Sequence, residues 1–180
     1  SEPNTAYGST TATGKAGISF EYVDLLTSTG MNSSSTNSGG WANTALRGTL
    51  NGTTYNSLSI KNSIKKVKKE YIPTYNTAPT IMPTTDDYIW LLSCGEIWDN
   101  GYNGGVTRGV AITTEGKQYK YYKTKLGSKA FNESGNYDEK YYDTWLRSVY
   151  YKYMGYEKYN QGTSTNASWR YVSIYSICNA

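Results

Sequence analysis

Apolar positions in this chain come in short, separated bursts, and their spacing predicts a mixture of short strands and short helices. Ile18 to Leu26 (Ile-Ser-Phe-Glu-Tyr-Val-Asp-Leu-Leu) carries the alternation of a strand entering the core. A polar loop over 27–40 ends in Gly39-Gly40. Trp41, Leu46 and Leu50 then recur at helical spacing across 41–51, with Asn43 or Thr44 as N-cap and Asn51-Gly52 as the stop. A second short helix is expected from Ser57 or Ser59, with Ile60 and Ile64 on one face. After Lys66 the period returns to two, with Val67, Lys69 and Tyr71 on one side and Lys66, Lys68, Glu70 and Ile72 on the other, until Pro73 ends the strand.

The prolines and threonines of 73–87 predict a long irregular loop. Tyr88-Ile-Trp-Leu-Leu92 is a nearly unbroken apolar run, consistent with a buried central strand. Ser93 should cap a short helix through Glu96 and Trp98. The Gly-rich 101–109 stretch reads as a loop and 117–126 as a third short helix. From Thr144 onward strands and loops dominate. The sum is an α+β domain with long loops, no internal repeat, and no βαβ rhythm of the kind a doubly wound fold needs. Residues 1–17 are expected to form an extended N-terminal arm, and 18–180 a single domain.

Composition sharpens this picture. With 180 residues the chain can bury a real core as one domain. Apolar residues make up only 37% and charged residues 18%, the latter below the roughly 25% of an average globular protein. Tyr, Thr, Ser, Asn and Gly fill the deficit, and 20 Tyr stand against 2 Phe. Such an amide- and hydroxyl-rich make-up is typical of β-rich extracellular or virion proteins. The net charge of +4 is concentrated in Lys61, Lys65, Lys66, Lys68 and Lys69, read as a solvated face. The pI of 8.8 falls short of the broad basic stripe of a nucleic-acid binder, so no nucleic-acid partner is expected. No apolar run approaches the roughly 20 residues that cross a bilayer, so no membrane insertion is expected either. The start at Ser1 suggests a processed or trimmed chain, which leaves export open.

The chemistry on offer is limited. With no histidine, triad bases, imidazole metal ligands and near-neutral proton switches of that type are excluded. Cys94 and Cys178 have neither metal nor redox spacing; they suit one disulfide in an exported chain or two buried thiols. Asp86-Asp87 reads as a cap on the turn into a strand, with a hard cation such as calcium as the alternative. Glu96, Asp99 and Glu115 have no partner placed by sequence. The expectation is therefore no enzyme, no catalytic residues, no resident metal and no cofactor. Trp41, Leu46, Leu50, Leu91, Leu92 and Trp145 are assigned to the core, with Arg147 tied to a carboxylate or carbonyl.

What stands out is the C-terminal tract after Trp145-Leu146-Arg147-Ser148. It holds Tyr150, Tyr151, Tyr153, Tyr156, Tyr159, Asn160, Asn166, Trp169, Tyr171 and Tyr175. Tyrosine supplies large contact area and a polar tip while freezing only two χ angles, so it binds at low entropic cost. Aromatics covering a sheet edge are the ordinary alternative, which Tyr171, Val172 and Ile174 fit in part. The density from Tyr150 to Tyr159 favours a ligand-binding surface.

The order of landmarks also resembles a known family. Gly39-Gly40-Trp41 precedes Leu46-Arg47, Leu50-Asn51 and Tyr55-Asn56; Thr84-Thr85-Asp86, Leu91-Leu92-Ser93 with Glu96, Tyr119 and Tyr122, and Trp145-Leu146-Arg147-Ser148 follow. Over roughly residues 18–180 this set is similar to a bacterial and phage domain family catalogued as of unknown function, found in surface proteins and phage tail proteins of gut Firmicutes. The resemblance implies a C-type-lectin-like fold of the formylglycine-generating-enzyme-like branch, with short helices around small antiparallel sheets. It also implies similarity to proteins diversified by retroelements that rewrite adenines in a C-terminal segment. In such relatives the tract ends in a short apolar strand, whereas this chain stops at Cys178-Asn179-Ala180. The chain departs from calcium-dependent lectins: Glu2-Pro3-Asn4 lies before the fold and no Trp-Asn-Asp triplet exists. On this footing the expected function is receptor binding, by a phage tail protein or a bacterial surface adhesin, on the cell surface or virion. The partner would be a surface protein or glycan, and a homo-trimer follows by analogy with phage adhesins. A carbohydrate-binding lectin-like module is the alternative.

Overall fold

The computed structural model describes residues 18–21, 26, 28–34, 36–74, 79–97, 115–116, 119–121, 124, 144–150, 153–157, 170–171 and 175–178. Their order is β1 (Ile18–Glu21), β2 (Ser28–Thr29), a 3-10 turn (Gly40–Asn43), α1 (Ala45–Thr49), a π turn (Leu50–Thr54) and α2 (Tyr55–Ser57). A 3-10 turn (Lys61–Ser63) leads to β3 (Ile64–Lys65), β4 (Val67–Glu70), β5 (Thr84–Asp87), β6 (Ile89–Trp90) and α3 (Cys94–Ile97). β7 (Thr144–Tyr150), β8 (Tyr153–Glu157), β9 (Arg170–Tyr171) and β10 (Tyr175–Cys178) complete the described elements.

Among the described residues the strands form three sheets. The first is organised on β10, which pairs antiparallel with β1 on one side; Ile18 stands opposite Cys178 and Glu21 opposite Tyr175. Its other side is shared end to end by β3 and β6, with Cys178 opposite Ile64 and Tyr175 opposite Trp90. The second sheet runs β2-β9-β7-β8 and contains the parallel pair β7/β9. The third is the β4/β5 ribbon. Both ends of the described chain thus meet at β10, and everything between them is one long excursion.

The Gly-Gly-Trp unit shows why the helical region starts where it does. Gly39 and Gly40 have φ of 80° and 59°, left-handed values open to glycine. A Cβ on Gly40 would lie 2.4 Å from the carbonyl oxygen of Ile72, so the chain passes against that backbone with nothing to spare. This close approach delivers Trp41 into the core, fully buried. Thr44 caps α1 by accepting from the Arg47 amide at 3.2 Å. Leu46 and Leu50 face inward, joining Met31, Ile72, Ile89, Trp90, Leu91, Leu92, Trp145, Leu146 and Val149 in one cluster.

Several expectations are corrected. Asn51-Gly52 does not close the helix, which passes through a π turn into α2. The Asn51 side chain instead accepts from the Tyr88 and Ile89 amides at 2.6 and 3.2 Å and donates to the Ile89 carbonyl at 2.8 Å. Ile60 and Ile64 do not share a helical face: Leu58 is extended, Ile60 is exposed, and Ile64 is a buried strand residue. The expected loop over 73–87 ends in β5, paired with β4 from Val67/Asp87 to Glu70/Thr84. The expected strand 18–26 is paired over Ile18–Glu21, its residues 22–25 lying outside the described residues, and Ser28–Thr29 form β2 inside what read as loop. Trp98, Asp99 and most of 117–126 lie outside the described residues; 120, 121 and 124 are helical. The Ser93 cap holds: its hydroxyl accepts from the Glu96 amide at 3.2 Å while Glu96 accepts from the Ser93 amide at 3.0 Å, a closed capping box.

Candidate functional site

Of the ten residues singled out for binding, Tyr150, Tyr153, Tyr156, Tyr171 and Tyr175 fall on described strands. Tyr151, Tyr159, Asn160, Asn166 and Trp169 lie outside the described residues. β7 and β8 form an antiparallel hairpin in which Tyr150 is the register partner of Tyr153, and Trp145 that of Tyr156, with an irregularity between Trp145 and Val149. Tyr171 joins the same sheet on the opposite side of β7, in register with Thr144. Tyr175 belongs to the other sheet, on β10. The structure therefore gathers four of these tyrosine positions on three adjacent strands and sets the fifth apart. Those described positions stand on strands and not on loops.

The strand that carries this hairpin is fixed from behind. Trp145 through Val149 are all buried. The Trp145 indole N–H donates to the Thr29 carbonyl at 2.8 Å, tying β7 to β2. Arg147, fully buried, donates to the carbonyls of Glu70 (3.1 Å), Leu91 (2.8 Å) and Glu115 (2.6 Å) and to the Glu96 carboxylate. One guanidinium thus clamps β7 to β4, to the 91–96 segment and to Glu115. Arginine suits that position because its planar fork offers five donors in fixed directions.

Around Arg147 a buried polar cluster assembles. The Lys69 ammonium lies 3.1 Å from Glu96 Oε1 and 3.1 Å from the Tyr119 hydroxyl, and 4.0 Å over the Trp90 ring. Glu115 accepts from the Ile72 amide at 2.8 Å and from the Ser148 hydroxyl. Ser93 donates to the Glu115 carbonyl at 2.9 Å. Burial alone would raise the Glu96 carboxyl, but Arg147 and Lys69 beside it hold it below the usual carboxylate range. Burial raises the Glu115 carboxyl, outweighing Arg147. Burial brings Lys69 down to about 7 against the pull of Glu96.

A second buried carboxylate ties the helical region to the ribbon. Asp87 accepts from the Trp41 indole N–H at 2.8 Å, the Thr85 hydroxyl at 2.7 Å and Arg47 Nε at 2.7 Å. Asp86 is exposed on the other side of β5 and pairs with Lys68 at 3.4 Å. The alternative of a calcium ligand pair at Asp86-Asp87 is thereby corrected: strand alternation points the two carboxylates apart, and donors from the protein occupy Asp87. Among the described residues, no group of three or more His, Cys, Asp or Glu side chains converges to hold a metal ion. Nor is any described helix long and apolar enough to cross a membrane.

Lys69, Glu96, Glu115, Arg147 and Ser148 have no exposed surface, and their bonds connect separate elements of the fold. Sequence reasoning expected Arg147 to be held by a carboxylate or carbonyl, and it is held by both. It missed Lys69, grouped with the solvated lysines. The available signal was its place between Val67 and Tyr71 in the apolar row of β4.

Comparison with known proteins gives a single family. The family described as "Domain of unknown function (DUF6273)" matches residues 14–176, nearly the whole chain, and the chain belongs to it. No curated protein and no solved structure matches.

Proposed function

We propose that this DUF6273-family member is a non-enzymatic ligand-binding domain with a C-type-lectin-like α+β fold. Its tyrosine- and asparagine-rich C-terminal tract engages a surface protein or glycan, in a phage tail receptor-binding protein or a bacterial surface adhesin. The observation that carries the reading is the β7–β8 hairpin. Tyrosines stand in register at its far end (Tyr150/Tyr153), while its base is the buried run Trp145 to Val149, clamped by Arg147 and Trp145. Aromatic contacts mounted on a rigid strand lose little freedom on binding, which is how binding hot spots are built. Diversification by a retroelement fits the same architecture, since substitutions beyond Ser148 spare the Arg147 clamp.

Tyr153 is the sharper probe of this surface, because Tyr156 is the register partner of the buried Trp145. Tyr153→Ala should weaken adhesion of the labelled protein to intact Gram-positive cells by about 1–2 kcal/mol, roughly five- to thirtyfold, with an unchanged melting temperature. Loss of stability in step with loss of adhesion would make Tyr153 a core residue and sink the proposal. Shaving the cells with protease, in parallel with a glycan array, separates a protein receptor from a sugar. Sequencing the locus across a population tests the retroelement directly: substitutions should concentrate at adenine-rich codons after Ser148, and uniform variation would remove that part of the reading.

A further inference from the structure

The net positive charge of this chain resides in one short segment. Segment 61–70 holds five lysines against Glu70; subtracting these from the chain's 18 basic and 14 acidic residues leaves the remainder balanced, so the segment accounts for the whole net charge of +4. Lys69 withdraws into the core with Glu96. Lys65, Lys66 and Lys68 are exposed, and Lys61 is half-buried.

Two of these lysines, Lys61 and Lys66, lie against a fixed aromatic pair. Tyr55 and Tyr88 stack with centroids 4.0 Å apart and planes 8° from parallel. The Tyr55 hydroxyl donates to the Lys61 carbonyl at 3.1 Å, and Asn51 holds the Tyr88 amide. Lys66 Nζ sits 5.0 Å over the Tyr88 ring. Lys68 stands opposite Asp86 in the β4/β5 ribbon, and strand alternation puts Lys66, Lys68 and Asp86 on one side. Asp86 and the half-buried Glu70 are the acids on this side of the ribbon; the Asp86–Lys68 pair is exposed on both partners, so it is weak and exchangeable.

We propose that this ridge binds an anionic polysaccharide, a chain of sugars bearing carboxylate or sulfate groups, independently of the tyrosine hairpin. Spaced lysines match charges repeated along a flexible polymer, and the cation–π contact already restrains Lys66. Nucleic acid fits less well. Single strands are held by bases stacked on free aromatic faces, whereas Tyr88 is already stacked on Tyr55 and has the Lys66 ammonium over its ring.

The test uses the whole chain with polygalacturonate, dextran sulfate, neutral dextran and poly(dT) as probes. Both acidic polysaccharides should bind, more weakly as salt rises, and neutral dextran should not. The variant Lys65→Gln/Lys66→Gln/Lys68→Gln should bind them at least about tenfold more weakly, with the slope of log Kd against log salt reduced by about 2, as for lost lysine–phosphate contacts. These lysines are exposed, so thermal unfolding should not change, and Tyr153→Ala should leave polyanion binding intact. The proposal fails if neither polyanion binds, if the triple variant binds like the parent, if dextran binds equally, or if poly(dT) binds more tightly than polygalacturonate.

Discussion

Arg147→Ala is expected to destabilise the domain by about 3–5 kcal/mol, the cost of breaking a buried ionic network from one side. The residue is fully buried, and it serves Glu96 together with three backbone carbonyls. Truncation leaves the Leu91 and Glu115 carbonyls without this donor and removes the nearest countercharge of Glu96. Domains of this size commonly have only 5–15 kcal/mol in total, so the loss should appear as a large fall in the urea midpoint or as insoluble protein. Arg147→Lys should recover little, because one ammonium cannot reproduce four bonds directed by a planar fork. A shift below about 1 kcal/mol would mean that the clamp is not what holds β7, and the rigid-scaffold argument for the hairpin would go with it.

How far the fold could be read from sequence depended on whether a residue's local pattern and its tertiary partners agreed. Gly39-Gly40-Trp41, Thr44, Leu46 and Leu50 agree: a left-handed pair, a cap and apolar residues at helical spacing each do in the structure what their chemistry suggests locally. Asn51-Gly52 disagrees. Locally it is a helix stop, but the Asn51 amide meets the Tyr88–Ile89 backbone and is more useful there than as a terminator. β5 was hidden for a similar reason. Thr84-Thr85-Asp86-Asp87 lacks apolar alternation, and its inward residues are Thr85 and Asp87, whose burial depends on Trp41 and Arg47 some forty positions earlier.

The candidate site divides the same way. The tyrosine tract was visible because composition alone marks it, and the register of the β7–β8 hairpin was beyond any sequence pattern. The charged clusters were nearly invisible. Lysine, aspartate and glutamate are rarely fully buried unless paired, and the partners here lie far apart in sequence: Lys69 with Glu96, Glu96 with Arg147, and Asp87 with Arg47. Only after folding do those pairs exist; the one local hint for Lys69 over Lys68 is its place in the row of Val67 and Tyr71, which does not name its partner.

Glu96→Ala is expected to be about as damaging as loss of Arg147, and pH separates the roles of the groups around it. Without Glu96, the buried Arg147 guanidinium loses its countercharge and Lys69 the carboxylate that favours its protonated form, a loss of about 3–5 kcal/mol. Adding Lys69→Met to that variant should recover part of it by removing a buried amine that no longer has that carboxylate. In the parent, Glu96 is held below its ordinary value by Arg147 and Lys69 despite burial, so its contribution is present above the usual carboxylate range and is lost as pH falls through its folded value. Glu115 has the opposite sign. Burial raises it, so the folded state is favoured while it is protonated, and that advantage is lost as pH rises through its folded value. Lys69 governs the alkaline side. Burial lowers it from 10.5 to about 7, so between those values the unfolded chain keeps a proton that the folded chain gives up. Stability should therefore rise with pH from about 7 toward 9.5, with a slope of up to about 1.4 kcal/mol per pH unit. Tyr119, which burial pushes well above 10, keeps its proton throughout that window. Urea unfolding of the parent and of Lys69→Met across it decides the matter: the parent should gain stability with pH and the variant should be nearly flat. Equal slopes would mean that Lys69 stays charged in the fold, held by Glu96 more strongly than burial opposes it.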